Sequence, residues 1–243
     1  MPKPQTTSPV RQAAFSHRVR RIDRRDLLLT SIAAIGSAAA WRWTGPALAQ
    51  QRKDSSSPAQ VSVDELMQPG PLPDLVFGSA NAPITLVEYA SLTCPHCAAF
   101  HVNVMPKLRE KYISPGKVRL VLREFPLDNL AAAAAMLGRC AGEGKAFALF
   151  AVLFARQNEW AFVPRPVAEL FRFARLADFT KASFDACLRD QKLLDDIATV
   201  RAHASKAFGV TVTPTFFVNG QRLERGATFE DFEKAFAAAP VKG

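Results

Sequence analysis

The chain has 243 residues, with 31 Lys and Arg against 22 Asp and Glu and a formal net charge of +9. Residues 1–49 hold 8 of the basic and 2 of the acidic residues, which leaves 23 and 20, a net charge of +3, over the remaining 194. That remainder shows no basic stripe interleaved with aromatics, which argues against a nucleic-acid partner, and its length suits one domain or one domain with an insertion.

Residues 1–26 are basic and carry two double arginines, Arg20-Arg21 and Arg24-Arg25. An apolar run follows from Leu27 to Trp41, and Ala47-Leu48-Ala49 gives a small-x-small site ahead of Gln50. A basic start, a short apolar run and such a site make an export signal, with cleavage expected after Ala49. The segment around Arg24-Arg25 resembles the twin-arginine pattern, which implies export of a folded chain. Asp26, and the lack of a lysine after the leucines, leave an ordinary secretory signal open. The run is about 15 residues, below the roughly 20 needed to span a membrane, so a retained anchor is the weaker alternative. Export permits disulfides, and all four cysteines lie beyond residue 49.

Residues 50–73 are rich in Gln, Ser and Pro and read as a linker, with a short helical turn near Asp64-Glu65-Leu66-Met67. Leu75-Val76-Phe77 reads as a short strand. Residues 84–90 read as the central strand, and residues 98–112 as a helix with Pro106 as a kink. Its Phe100, Val104, Leu108 and Tyr112 are spaced by four on one apolar face. Residues 118–125 are rich in β-formers, so strand, helix and strand make a βαβ unit with parallel strands. From 128 to 208 the pattern is helical, with runs at 130–140, 145–157, 166–173, 180–189 and 194–208. Strand signals return after Gly209. Asn219-Gly220 between apolar runs predicts a tight hairpin, and Thr228 caps a last helix over 229–238.

Between the central strand and the first helix stands Cys94-Pro95-His96-Cys97. Unpaired N–H groups and the dipole at a helix start favour a thiolate on the first cysteine. His96 adds a further donor, and a positive charge when protonated. The pattern predicts thiol–disulfide exchange, with Cys94 as the exchanging sulfur and Cys97 as the resolving one. Half of a zinc site is the alternative. His101 would give it a third ligand, but the fourth is missing and Cys140 and Cys187 stand alone. No metal or cofactor is expected. Cys140 and Cys187 fall in two predicted helices and are expected to form a structural disulfide, closing a loop of about 47 residues.

A strand, a CPHC motif opening a helix, a helical insertion and Thr213-Pro214-Thr215 before a final hairpin resemble the thioredoxin superfamily. Within it they resemble the DsbA-like thiol:disulfide oxidoreductases of the bacterial envelope. The resemblance covers about residues 64–240. It implies an α/β, thioredoxin-like fold with a helical insertion domain: residues 74–126, the insertion 127–208, and the second part 209–243. It makes Pro214 a cis-proline beside the redox pair, gives Thr213 a backbone role in holding substrate, and makes Glu88 a buried acid that moves protons for the resolving cysteine. It implies a monomeric periplasmic oxidant that passes its disulfide to newly exported proteins through a mixed disulfide on Cys94. A membrane quinone-linked protein would reoxidise it.

Direction follows from the thiol. If the fold lowers the Cys94 pKa to about 4 from about 8.5, the reduced form gains roughly 4 kcal/mol at pH 7. That raises the potential by about 90 mV. Neutral dipeptides between the cysteines shift the thiol less, so His96 favours the oxidant. Thr213 stands where the best-known DsbA oxidants carry valine, as some isomerase and reductase relatives do. This keeps an isomerase or reductase held reduced by a membrane electron donor as the alternative. A holdase with an apolar groove and no turnover is a third.

Overall fold

The computed structural model describes residues 59–224 and 226–239. The expected export signal 1–49, with Arg24-Arg25 and the cleavage site after Ala49, and residues 50–58 of the linker lie outside the described residues.

Five strands form one sheet: β1 (Leu75–Phe77), β2 (Ile84–Ala90), β3 (Val118–Glu124), β4 (Thr215–Val218) and β5 (Gln221–Arg222), in spatial order β1-β3-β2-β4-β5. β2 is central, parallel to β3 and antiparallel to β4. All seven of its residues are buried. A strand covered on both faces reads as a nearly continuous apolar run, and in Ile84-Thr85-Leu86-Val87-Glu88-Tyr89-Ala90 only Glu88 breaks the rule with a charge.

A parallel pair needs a crossover, supplied here by α2 (Pro95–Asn103), α3 (Met105–Leu108) and one π-helical turn, Arg109–Ile113. The expected single helix over 98–112 is therefore divided, and it starts earlier, at Pro95. Pro106 explains the division: it has no N–H for the carbonyl four residues back, and its ring crowds that carbonyl. One sheet face packs Leu86, Leu120 and Phe216 against Phe100 of α2 and Phe232 and Phe236 of α9 (Phe229–Ala238). The other packs Val87, Tyr89, Val121 and Phe217 against Leu66 of α1 (Val63–Leu66) and Phe208 of α8 (Gln191–Phe208).

Within the expected linker, residues from 59 onward join the sheet edge. Val61 N–H donates to Gly220 O at 2.9 Å and Arg222 N–H to Ala59 O at 2.9 Å. Val61 and Leu66 are buried. Two apolar residues in a polar stretch are enough to anchor it. At the hairpin, Asn219 has φ 43° and Gly220 φ 84°, the two left-handed positions of a type I′ turn. A Cβ on Gly220 would lie 2.2 Å from Val61 O.

The insertion holds α4 (Asn129–Ala141), α5 (Glu143–Ala155), α6 (Pro166–Ala174), α7 (Lys181–Leu188) and α8. Asp128, Thr180 and Asp190 cap α4, α7 and α8. The Asp190 cap starts α8 three residues before the expected run at 194. Phe150, Leu153, Phe154, Trp160, Leu170 and Phe173 form a core continuous with Ala90, Leu122 and Cys97 of the sheet domain. Cys140 on α4 and Cys187 on α7 are joined by a disulfide, with Cα atoms 6.2 Å apart.

Candidate active site

Cys94 is the N-cap of α2, with extended backbone (φ −79°, ψ 120°). Its sulfur therefore lies at the helix start rather than along its side. It is 6% exposed, and its Sγ donates to Thr213 O at 3.3 Å. The Thr213–Pro214 bond is cis. Thr213 Oγ1 is buried and meets no hydrogen-bond partner among the described residues.

The two sulfurs have opposite acid–base characters. The Cys97 thiol donates to Cys94, and this contact does most to lower the Cys94 pKa; burial opposes it, and the N–H groups of Cys97 and His96 reinforce it. The result is a Cys94 pKa lowered to about 5 from 9.0. Cys97 is fully buried. Burial, then the adjoining Cys94, then the charge of Glu88 push its thiol far above the ordinary range. At neutral pH the pair is one thiolate and one thiol. Such a pair can attack a disulfide through Cys94 and close on itself through Cys97.

His96 contributes to the thiolate through its backbone N–H, while its residue is exposed. The expectation placed the effect in the ring. A groove of about 900 Å³ opens beside Cys94, bordered by His96, Phe100, Leu127, Val212, Pro214 and Phe229.

Glu88 is fully buried on β2, and both its oxygens face His101 Nε2, at 3.1 and 3.0 Å. His101, considered above as a third zinc ligand, is thus turned to a carboxylate. Among the described residues no three ligating side chains gather as a metal site would need. Of the six residues expected at the redox centre, Cys94, Cys97 and Thr213 meet directly, Pro214 borders the groove at Cys94, His96 joins through its backbone, and Glu88 acts on Cys97 through its charge. Cys140 and Cys187 stand apart, inside the insertion.

Gln157 was not foreseen. It is buried in a 3₁₀ turn, Gln157–Glu159, and its Nε2 donates to Leu92 O at 2.8 Å and Cys94 O at 3.1 Å. A single glutamine after an apolar helix carries no signal that would mark it.

A family model described as thioredoxin matches residues 72–238. A Rickettsia bellii protein named "Putative protein-disulfide oxidoreductase" is 34% identical over 152 residues, which are 62% of this chain and 59% of that protein's length. The crystal structure of Wolbachia pipientis alpha-DsbA1 superposes with a TM-score of 0.67 at 33% identity, over 72% of this chain and 94% of that one. Oxidised BdbD from Bacillus subtilis, at 17% identity and a TM-score of 0.62, shares the fold over 74% of this chain and 95% of its own. The chain belongs to the thioredoxin superfamily, in its DsbA-like group.

Proposed function

We propose that this protein is a protein-disulfide oxidoreductase that donates the Cys94–Cys97 disulfide to newly exported proteins in the periplasm. A substrate thiolate attacks Cys94, forms a mixed disulfide and releases Cys97. The substrate's second thiolate then displaces Cys94. A membrane quinone-linked protein would restore the disulfide. The observation that carries this reading is the split pair: Cys94 leaves readily as a stabilised thiolate, while Cys97 is held as a buried thiol. A stabilised reduced form favours giving the disulfide away. The Cys94 groove, bordered largely by apolar side chains, suits unfolded chains.

One residue favours a second reading. Thr213 precedes the cis-proline, as in some isomerases and reductases, and such an enzyme would be kept reduced by a membrane electron donor. Trapping the thiols in cells decides between them. A mostly oxidised Cys94–Cys97 pair supports the oxidant; a mostly reduced pair overturns it in favour of the second reading. Replacing Arg24-Arg25 with two lysines, with mass spectrometry of the exported protein, tests the export route.

A further inference from the structure

Tyr89 on β2 and Arg123 on β3 are partners in register, and both are buried, at 1% and 7% exposure. Arg123 donates twice to Asp74, at 2.7 and 2.9 Å, and through Nη1 to Leu66 O at 2.6 Å and Tyr89 Oη at 3.0 Å. Arg139 on α4 donates twice to Glu124 and once to Pro73 O. A guanidinium carries five N–H groups. Arg123 therefore keeps one, and Arg139 two, without an acceptor among the described residues. The Tyr89 oxygen accepts from Arg123, and its own O–H finds no acceptor among them either.

Tyr89, Arg123 and Arg139 border one cavity of about 270 Å³, closed on its other sides by residues 68–72 and by Val200 and His203 of α8. It shares no bordering residue with the groove at Cys94, and Tyr89 packs on the sheet face opposite Phe100. The four free donors equal the lone-pair sites on the two oxygens of one carboxylate, and a guanidinium fork matches a planar carboxylate. Each arginine charge is already matched, by Asp74 and by Glu124. The cavity is thus rich in donors and poor in net charge, which disfavours a multiply charged anion such as phosphate. Leu72 and Val200 offer apolar contact to the rest of a ligand. The volume lies just below the roughly 300–1,000 Å³ of drug-sized sites, so the ligand is small.

We propose that this cavity binds a small monocarboxylate with an acyl or aryl tail, its oxygens on Arg123, Arg139 and Tyr89 and its tail on Leu72 and Val200. The ligand touches the sheet through Tyr89 and Arg123 and the helical insertion through α4 and α8. It fastens the two layers to each other and stabilises the folded chain by mass action. The site lies apart from the redox pair and holds for an oxidant and a reductant alike.

The test titrates benzoate into the full, oxidised chain at pH 7 and constant ionic strength, read by amide NMR. Saturable shifts should appear at Tyr89, Arg139, Val200 and His203 and not at His96 or Phe229. Shifts that never saturate, as when water is the sole occupant, or that gather at the Cys94 groove overturn the site. Benzamide, of the same shape without the charge, should bind at least roughly tenfold more weakly; equal binding overturns the carboxylate assignment. Tyr89→Phe keeps the ring, removes the O–H and should weaken benzoate about fivefold. Val200→Glu sets a carboxylate in the half-buried wall of the cavity and should abolish binding. Parent affinity in either folded variant overturns the proposal. Should Tyr89→Phe not fold, Val200→Glu and the shifts of the unaltered protein still decide.

Discussion

Gln157 holds the backbone of Cys94 from the helical insertion, donating to its carbonyl at 3.1 Å and to that of Leu92 at 2.8 Å. The carbonyl of Cys94 also accepts Ala98 N–H at 3.1 Å, so the Leu92 carbonyl depends more on the glutamine. Gln157→Leu removes the donor and keeps the bulk, which should cost about 1–3 kcal/mol in denaturant unfolding. Gln157→Glu should cost more, because an ionised carboxylate offers these carbonyls no proton. Equal stability of all three proteins would show that the bonds contribute nothing.

Reduced protein should gain stability over oxidised protein as pH rises from about 5 to 9. Cys94 titrates near 5 when folded and near 9.0 ordinarily. Between those values the unfolded state binds more protons, so stability rises with pH and is lost again as pH falls through 5. Above 9 the raised Cys97 works the other way, since the unfolded chain then sheds that proton first. At pH 7 the gain from Cys94 is roughly 3 kcal/mol, or about 60 mV of added oxidising power. That is less than the 90 mV that a pKa of 4 would give. Unfolding both redox forms at pH 4 and pH 7 measures it; a gap that stays fixed contradicts it.

Cys97→Ala should raise the Cys94 thiolate midpoint well above 5. The hydrogen bond from Cys97 is the largest cause of the lowering, and the remaining donors must also offset burial. Thiolate absorbance against pH reads the midpoint directly. His96→Ser should move it less, because the His96 backbone N–H is retained.

The legible parts of this chain are those with local signals. Residues 84–90 show a buried strand, Cys94-Pro95-His96-Cys97 a redox pair at a helix start, and Asn219-Gly220 a turn with two left-handed residues. Side chains that pair across long stretches of chain were not legible. Arg123 binds Asp74 through two bonds, of 2.7 and 2.9 Å, and Arg139 binds Glu124 likewise, at 2.5 and 2.6 Å. Each of these residues reads as surface charge until the fold buries Arg123, Glu124 and the Arg139 side chain and half-buries Asp74. Glu88 was singled out only by the family resemblance, as an acid six residues before Cys94 on the central strand. Its partner His101 was not, because one helical turn from Cys97 it suggested a metal ligand first. His96 was weighed for its ring, although any residue but proline there would present the same N–H.

Replacing both Cys140 and Cys187 by Ala should destabilise the protein by about 4 kcal/mol in the chain-entropy model, for a closed loop with sequence separation 47. Because the bond joins α4 to α7 within the insertion, the Cys94 thiolate midpoint should stay near 5. Peptide mapping of unreduced protein should find the 140–187 crosslink intact under mild reductant that opens 94–97. Free thiols at these two positions in exported protein would remove the structural role.

Arg139→Met should be among the most damaging single changes outside the redox centre. Arg139 and Glu124 are both nearly inaccessible, with side chains 9% and 3% exposed, and Arg139 also donates to Pro73 O. The pair fastens α4 of the insertion to β3 of the sheet. Removing one partner leaves a buried carboxylate unpaired, which typically costs about 3–5 kcal/mol. Replacing both, as Arg139→Met with Glu124→Leu, leaves no stranded charge and should recover most of that loss. A double-mutant cycle in denaturant separates the cases. If the double variant is as unstable as the sum of the two singles, the ion pair is not what joins the two layers, and the Pro73 bond and the packing of the arginine stem carry the effect.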